Sequence, residues 1–259
     1  MTGRAVRTPA IVSRFGRGAP RFRLLCLPQA GGTAGSFAAW RSAVPPGVEI
    51  ATIGLPGRGT RAAEHAPRSV PELADSLVED LREELTGRYA LFGHSFGALV
   101  AYELTRRLER AGLPAPRALL VSASRPPHEP PIGRVSQLDD DDGLLRWLER
   151  IGGVPPELRR YGRFLRYALD TIRADLALAE SYRVAEPAPV HCDLRVFGGA
   201  ADALAGPEQL ESWRPCAAAG FSVTVLPGGH AYPYANPDRT LSALLHAAAP
   251  LLPRRDILA

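Results

Sequence analysis

Gly93-His94-Ser95-Phe96-Gly97 stands between the apolar run Tyr89-Ala-Leu-Phe92 and a stretch, residues 98–108, whose apolar positions recur at helical spacing. A strand, a sharp turn and a helix in that order make a nucleophile elbow, which lifts a serine hydroxyl clear of the backbone at a helix N-terminus. The two glycines answer a steric demand. The serine takes a strained backbone conformation, and a Cβ at position 93 or 97 would collide with the neighbouring helix or strand. The pentapeptide alone is a weak signal, because glycine and serine also build ordinary turns. Its flanks are what make Ser95 the candidate nucleophile.

The rest of the chain alternates as such a turn requires. Short, largely apolar runs at residues 23–27, 48–54, 89–92, 118–122, 194–197 and 222–226 are bounded by Gly or Pro, as expected of strands covered on both faces. Helical patterns fall between them at residues 70–85, 96–109, 207–213 and 237–252, and Ser69-Val-Pro-Glu72 reads as a capping box at the start of the first. The alternation predicts an α/β fold with a mostly parallel sheet flanked by helices. Residues 126–188 interrupt it, with helical text at 142–151 and 156–182 and no good strand, which predicts a helical lid inserted between core segments 21–125 and 189–259. Residues 1–20 carry Arg4, Arg7, Arg14 and Arg17 but no continuous apolar core of a signal peptide, so a flexible leader on a cytoplasmic protein is expected.

All 31 basic residues are arginine, and the net charge is +4. They interleave with glutamate, as in Leu81-Arg-Glu-Glu84 and Arg106-Arg-Leu-Glu-Arg110, and no basic stripe carries stacking aromatics. That pattern is solvated helix surface and argues against a nucleic-acid partner. No apolar stretch approaches a membrane span. Cys26, Cys192 and Cys216 are odd in number and widely spaced, which suits neither zinc nor redox work. The acidic run at residues 139–142 reads as a helix cap and not as a metal site, since calcium loops space their ligands with glycine between.

A serine nucleophile needs a base for its proton and an acid that orients the base. Both belong in loops after later strands. Asp202 follows the strand ending at Phe197, and His230 follows the strand ending at Leu226, giving the chain order Ser, Asp, His of α/β-hydrolases. Asp193 is the rival acid, weaker because it enters its strand and does not leave it. The oxyanion hole is expected from the amide of Phe96 and one in the turn Leu27-Pro-Gln-Ala-Gly-Gly32, with Ala30 favoured and Gln29 the alternative. No Gly-Lys-Ser/Thr follows that turn, so it does not read as a phosphate loop.

Taken in order, Leu27-Pro-Gln-Ala-Gly-Gly32, Leu55-Pro-Gly-Arg-Gly59, Gly93-His-Ser-Phe-Gly97, Ile172-Arg-Ala-Asp175 with Tyr182, and Gly198-Gly-Ala-Ala-Asp202 before Trp213 and Gly228-Gly-His230 resemble the type II thioesterases of polyketide and nonribosomal peptide assembly lines. The resemblance spans residues 22–252. It implies an α/β-hydrolase fold, the triad Ser95, Asp202 and His230, and a mobile helical lid that shapes an acyl chamber. It also implies hydrolysis of acyl or aminoacyl groups from the phosphopantetheine arms of acidic carrier proteins, by a monomer without cofactor or metal. A product-releasing or cyclising thioesterase or a broad carboxylesterase would use the same triad, and an idle carrier-binding module would leave it unused. One departure stands out: the family usually places a bulky aromatic after the histidine, whereas here Ala231 precedes Tyr232-Pro-Tyr-Ala-Asn236.

Overall fold

The computed structural model describes residues 8–138, 140–153, 160 and 162–248. Six strands, β1 (Ile11–Leu27), β2 (Pro46–Ile53), β3 (Tyr89–His94), β4 (Ala118–Ser122), β5 (Asp193–Gly199) and β6 (Phe221–Leu226), form one sheet in the order β2-β1-β3-β4-β5-β6. Among the described pairings only Ile11–Arg17 of β1 runs antiparallel to its neighbour, β2; Phe22–Cys26 meets Val48–Thr52 of β2 in parallel register, and all the other strand pairs are parallel. The helices are α1 (Val70–Leu81), α2 (Phe96–Arg110), α3 (Asp141–Arg150), α4 (Gly162–Ser181), α5 (Pro207–Glu211), α6 (Tyr232–Ala235) and α7 (Pro237–Ala248).

Strand periodicity divides the core into two layers. Leu25, Leu27, Leu91, Leu119, Val121, Leu194 and Val196 face α1, α2 and α5, while Leu24, Cys26, Phe92, Leu120 and Phe197 face α7 and the Trp40 turn. Both faces are therefore dry, as the unbroken apolar runs required, and each buried Leu or Phe contributes about 1.5–3 kcal/mol. At the start of α1 the Ser69 hydroxyl accepts from the Glu72 N–H at 3.1 Å, while the Glu72 carboxylate accepts from the Arg68 N–H at 2.9 Å.

The leader expected over residues 1–20 is a correction. Residues 11–20 are the first part of β1, paired with β2, and residues 1–7 lie outside the described residues. Ile11 and Phe15 are buried, whereas the outer face is held by charge: Arg14 bonds Glu49 and Glu84, and Arg23 bonds the same two carboxylates. An edge strand whose solvent face is arginine and glycine shows too little apolar alternation to be read from sequence. The last helix was expected to Leu252; α7 is described to Ala248, and residues 249–259 lie outside the described range.

Between β4 and β5 the described residues of the insertion hold α3 and α4 but no strand. Asp140 caps α3 by accepting from the Gly143 N–H, and Asp141 bonds Arg173, so these two carboxylates are spent on the helix and its neighbour; Asp139 lies outside the described residues. Leu144, Leu145 and Leu148 of α3 pack on Leu169 and Ile172 of α4 as a small separate core. The C-terminal half of α4 is tied to the sheet layers. Asp175 bonds Arg58 and the Gly31 N–H, and the Tyr182 hydroxyl donates to Glu103 of α2 at 2.7 Å. Helix α3 rests on α4 instead.

The amides of α3 should consequently exchange faster than those of α4 from Ile172 to Ser181, because opening α3 breaks only the small separate core. Hydrogen exchange read by mass spectrometry checks this, and equal protection in both helices would contradict it.

Candidate active site

Ser95 sits at φ 55°, ψ −116°, between the end of β3 and the first residue of α2. The packing that holds it there is severe. A Cβ on Gly93 would lie 2.1 Å from the Gly97 carbonyl oxygen, and one on Gly97 would lie 2.3 Å from that of Leu27. Strand and helix thus approach at backbone contact, and the Ser95 N–H is anchored to the Ser122 carbonyl on β4 at 2.8 Å. Strain of this kind persists only where surrounding contacts over-determine it.

The loops after β5 and β6 complete the cluster. The Gly199 position leaves no room for a side chain, since a Cβ would lie 2.5 Å from the carbonyl oxygens of both Gly228 and Gly229. That closeness brings Asp202 to His230. Asp202 Oδ1 accepts from the N–H groups of Leu204 at 2.8 Å and Ala205 at 3.3 Å, leaving Oδ2 facing His230 Nδ1 at 3.0 Å. His230 Nε2 lies 3.0 Å from Ser95 Oγ. Asp202 and His230 are both buried. The rival Asp193 is engaged elsewhere, accepting from Arg195 and from the Gly220 N–H at the start of β5.

Sequence reasoning missed the layer behind His230. The ring of His94 lies 5.3 Å from that of His230, and its Nδ1 is 2.9 Å from Ser122 Oγ, which is in turn 2.6 Å from the Tyr232 hydroxyl. Burial pushes the His94 imidazole well below its ordinary range, with a smaller push from His230, so His94 stays neutral. Tyr232, two residues after His230, is fully buried, while Tyr234 donates to the Gln29 side chain. The Tyr pair in residues 231–236 was the available signal.

In the turn after β1, the Gly31 N–H goes to Asp175 and the Gly32 N–H to the Gln29 carbonyl at 2.8 Å. The amides of Gln29 and Ala30 have no acceptor among the described residues, and Phe96, first residue of α2, has an N–H that no helical carbonyl can reach. A cleft with about 130 Å³ of free volume reaches Ser95, Phe96 and His230 and is walled by Leu99, Val135, Trp147, Leu176 and Ala179. Leu176 lines it as expected of the insertion. Leu145 does not; it is sealed in the core between α3 and α4. The three cysteine thiols are buried and raised by desolvation, Cys192 to about 12 and Cys216 to about 11, so none is a competing nucleophile. Among the described residues no group of His, Cys, Asp and Glu could hold a metal ion, and no helix is long and apolar enough to cross a membrane.

A mostly parallel sheet carrying a strained serine, a histidine and an aspartate on successive loops defines the α/β-hydrolase class. Within it the chain belongs to the thioesterase domain family, whose model matches residues 22–247. It is 36% identical over 213 residues to "Thioesterase PikA5" of Streptomyces venezuelae, covering 81% of this chain and 75% of that one. It is 31% identical over 216 residues to "Gramicidin S biosynthesis protein GrsT" of Aneurinibacillus migulanus, covering 83% and 84%. Among solved structures it resembles the RedJ thioesterase from the prodiginine biosynthetic pathway of Streptomyces coelicolor, at 36% identity and TM-score 0.82, over 96% of this chain and 97% of that one.

The buried neutral His94 has a consequence for stability. In the unfolded chain it binds a proton near pH 6.5, and in the folded chain it resists doing so, so below about pH 6.5 the unfolded state holds more protons and stability falls with falling pH. Urea unfolding between pH 7 and 5 should show this loss, with a slope of up to about 1.4 kcal/mol per pH unit, and His94→Asn should flatten it.

Proposed function

We propose that this protein hydrolyses acyl or aminoacyl thioesters held on the phosphopantetheine arms of carrier proteins, clearing stalled or misprimed units in polyketide or nonribosomal peptide assembly. It would act as a cytoplasmic monomer. The observation that carries the reading is the hydrogen-bonded chain Ser95–His230–Asp202, at 3.0 Å per link, whose Ser95 and His230 open onto an apolar cleft in a chain of the thioesterase family. Similarity to a gramicidin S biosynthesis protein and to a thioesterase of the prodiginine biosynthetic pathway supports the substrate class.

In this reading His230, with its proton on Nδ1 and directed to Asp202, accepts the Ser95 proton at Nε2 as Oγ attacks the thioester carbonyl. The amides of Ala30 and Phe96 receive the oxyanion, with Gln29 the alternative to Ala30. The C–S bond breaks, the sulfur leaves with the proton from Nε2, and an acyl-serine remains. Water then gives its proton to His230, attacks the acyl carbon, and the free acid departs as Ser95 regains its proton. Each step uses only protein groups and water. The acyl tail lies along Leu99 and Leu176, where desolvation favours a hydrocarbon.

Ser95→Ala should abolish acyl-enzyme formation, read by mass spectrometry after mixing with an acyl-carrier thioester, without loss of fold. Asp202→Asn should cost up to about 10⁴-fold in kcat by favouring the wrong imidazole tautomer, while Asp193→Asn should leave kcat near wild type. A larger loss at Asp193 would overturn the assignment. Comparing acyl-carrier thioesters with simple esters separates this reading from a broad carboxylesterase.

Leu176→Phe narrows the cleft and should penalise long acyl groups more than the smallest one, measured as kcat/KM across a chain-length series. Leu145→Ala should instead lower stability by about 2–5 kcal/mol and leave the preference unchanged, because it empties the core between α3 and α4.

A further inference from the structure

Two sequence patterns take no part in the chemistry above, Leu55-Pro-Gly-Arg-Gly59 and Ile172-Arg-Ala-Asp175, and in the fold they meet. Asp175 is fully buried. Arg58 grips it with two hydrogen bonds, Nη1 to Oδ2 and Nη2 to Oδ1, and Oδ2 also accepts from the Gly31 N–H at 2.8 Å. Gly31 holds φ 71° and packs so tightly on α4 that a Cβ would lie 2.2 Å from Ile172 Cγ1.

The geometry bears on the next residue back. The Ala30 N–H shares a planar peptide with the Gln29 carbonyl, and that carbonyl is held by the Gly32 N–H at 2.8 Å. The following peptide, Ala30 to Gly31, is held by Asp175. Two consecutive peptide planes are thereby fixed, so Ala30 has no freedom to swing. A carboxylate suits the task because it only accepts, and its spare lone pairs take the Gly31 N–H and the Arg58 fork together. Arg58 gives the buried carboxylate the opposite charge and the paired donors that burial demands.

We infer that Asp175 is a positioning residue for thioester hydrolysis: aligned by Arg58, it holds Gly31 so that the Ala30 N–H meets the oxyanion formed at Ser95. The inference rests on the proposed reading of Ala30 as an oxyanion donor. A helix of the insertion thus sets the geometry of an amide used only in the transition state, and disturbing it lowers kcat without weakening substrate binding.

The test uses an acyl-N-acetylcysteamine thioester for kinetics, a trifluoromethyl ketone of the same acyl chain as a tetrahedral mimic, and the matching amide as a non-reacting analogue. Asp175→Asn presents an NH₂ toward Arg58 and cannot satisfy both partners. It should lower kcat roughly 10- to 100-fold with KM within about threefold, weaken the ketone by the same factor and leave the amide unchanged. Arg58→Lys, which keeps the charge but not the fork, should show the same pattern more mildly, and it carries the test if Asp175→Asn fails to fold. Unchanged kcat per fluorophosphonate-labelled Ser95, whatever the Tm, would make the pair a structural pin only and overturn the inference. So would a rise in KM and weaker amide binding with kcat intact. If the ketone fails to inhibit the wild-type enzyme, the reading of Ser95 and Ala30 falls first, and this inference with it.

Discussion

The contact of backbone on backbone around Ser95 is the constraint on which the rest of the molecule depends. With φ at 55° the serine occupies a region that non-glycine residues avoid, and it stays there because β3, α2 and the end of β1 close on it at distances that exclude even a methyl group. The parallel order β1-β3-β4 follows from the same need, since β3 must have a strand on each side to be immovable. The neighbouring strands then surround the serine: β1 ends in the turn that carries the Gln29 and Ala30 amides, β4 supplies Ser122 to hold both Ser95 and His94, and the loops after β5 and β6 bring Asp202 and His230.

Buried charge fixes what the sheet does not. Arg61 is almost fully enclosed and joins Glu64, Asp80 and the Gly54 carbonyl, pinning the connection from β2 to α1. Glu103 gathers Arg106, Arg107 and the Tyr182 hydroxyl, fastening the end of α4 to α2. Such clusters are costly to assemble, and breaking one partner leaves an uncompensated charge, so each enforces a particular arrangement more than it adds net stability.

Much of this was legible in the sequence because it follows from local pattern. The six strand cores, the elbow and the Ser, Asp, His order all rest on short apolar runs followed by small residues. What escaped depends on contacts between distant segments. The first part of β1 is stabilised through Glu49 and Glu84, so its own residues look like a polar leader. Leu145 and Leu176 are both leucines on helices of the insertion, and only the packing tells that one faces the cleft and the other the space between helices. Arg58 and Asp175 stood in recognisable patterns, yet 117 residues separate them and nothing local announces their pairing.

The attachment of the insertion carries one more consequence. Its fastenings to the sheet layers run through Asp175 and Tyr182 of the α4 side, whereas α3 is borne by α4 and contributes Trp147 to the cleft wall. Two pieces of one covering layer therefore share the cleft wall: α4, anchored to the sheet layers, gives Leu176 and Ala179, and α3, carried on α4, gives Trp147. A change in α3 reaches the cleft directly through Trp147, and reaches the sheet layers through the leucine core that α3 shares with α4, against which Ala30 also packs. In such an architecture α3 is an awning hung on the frame that α4 makes with the sheet.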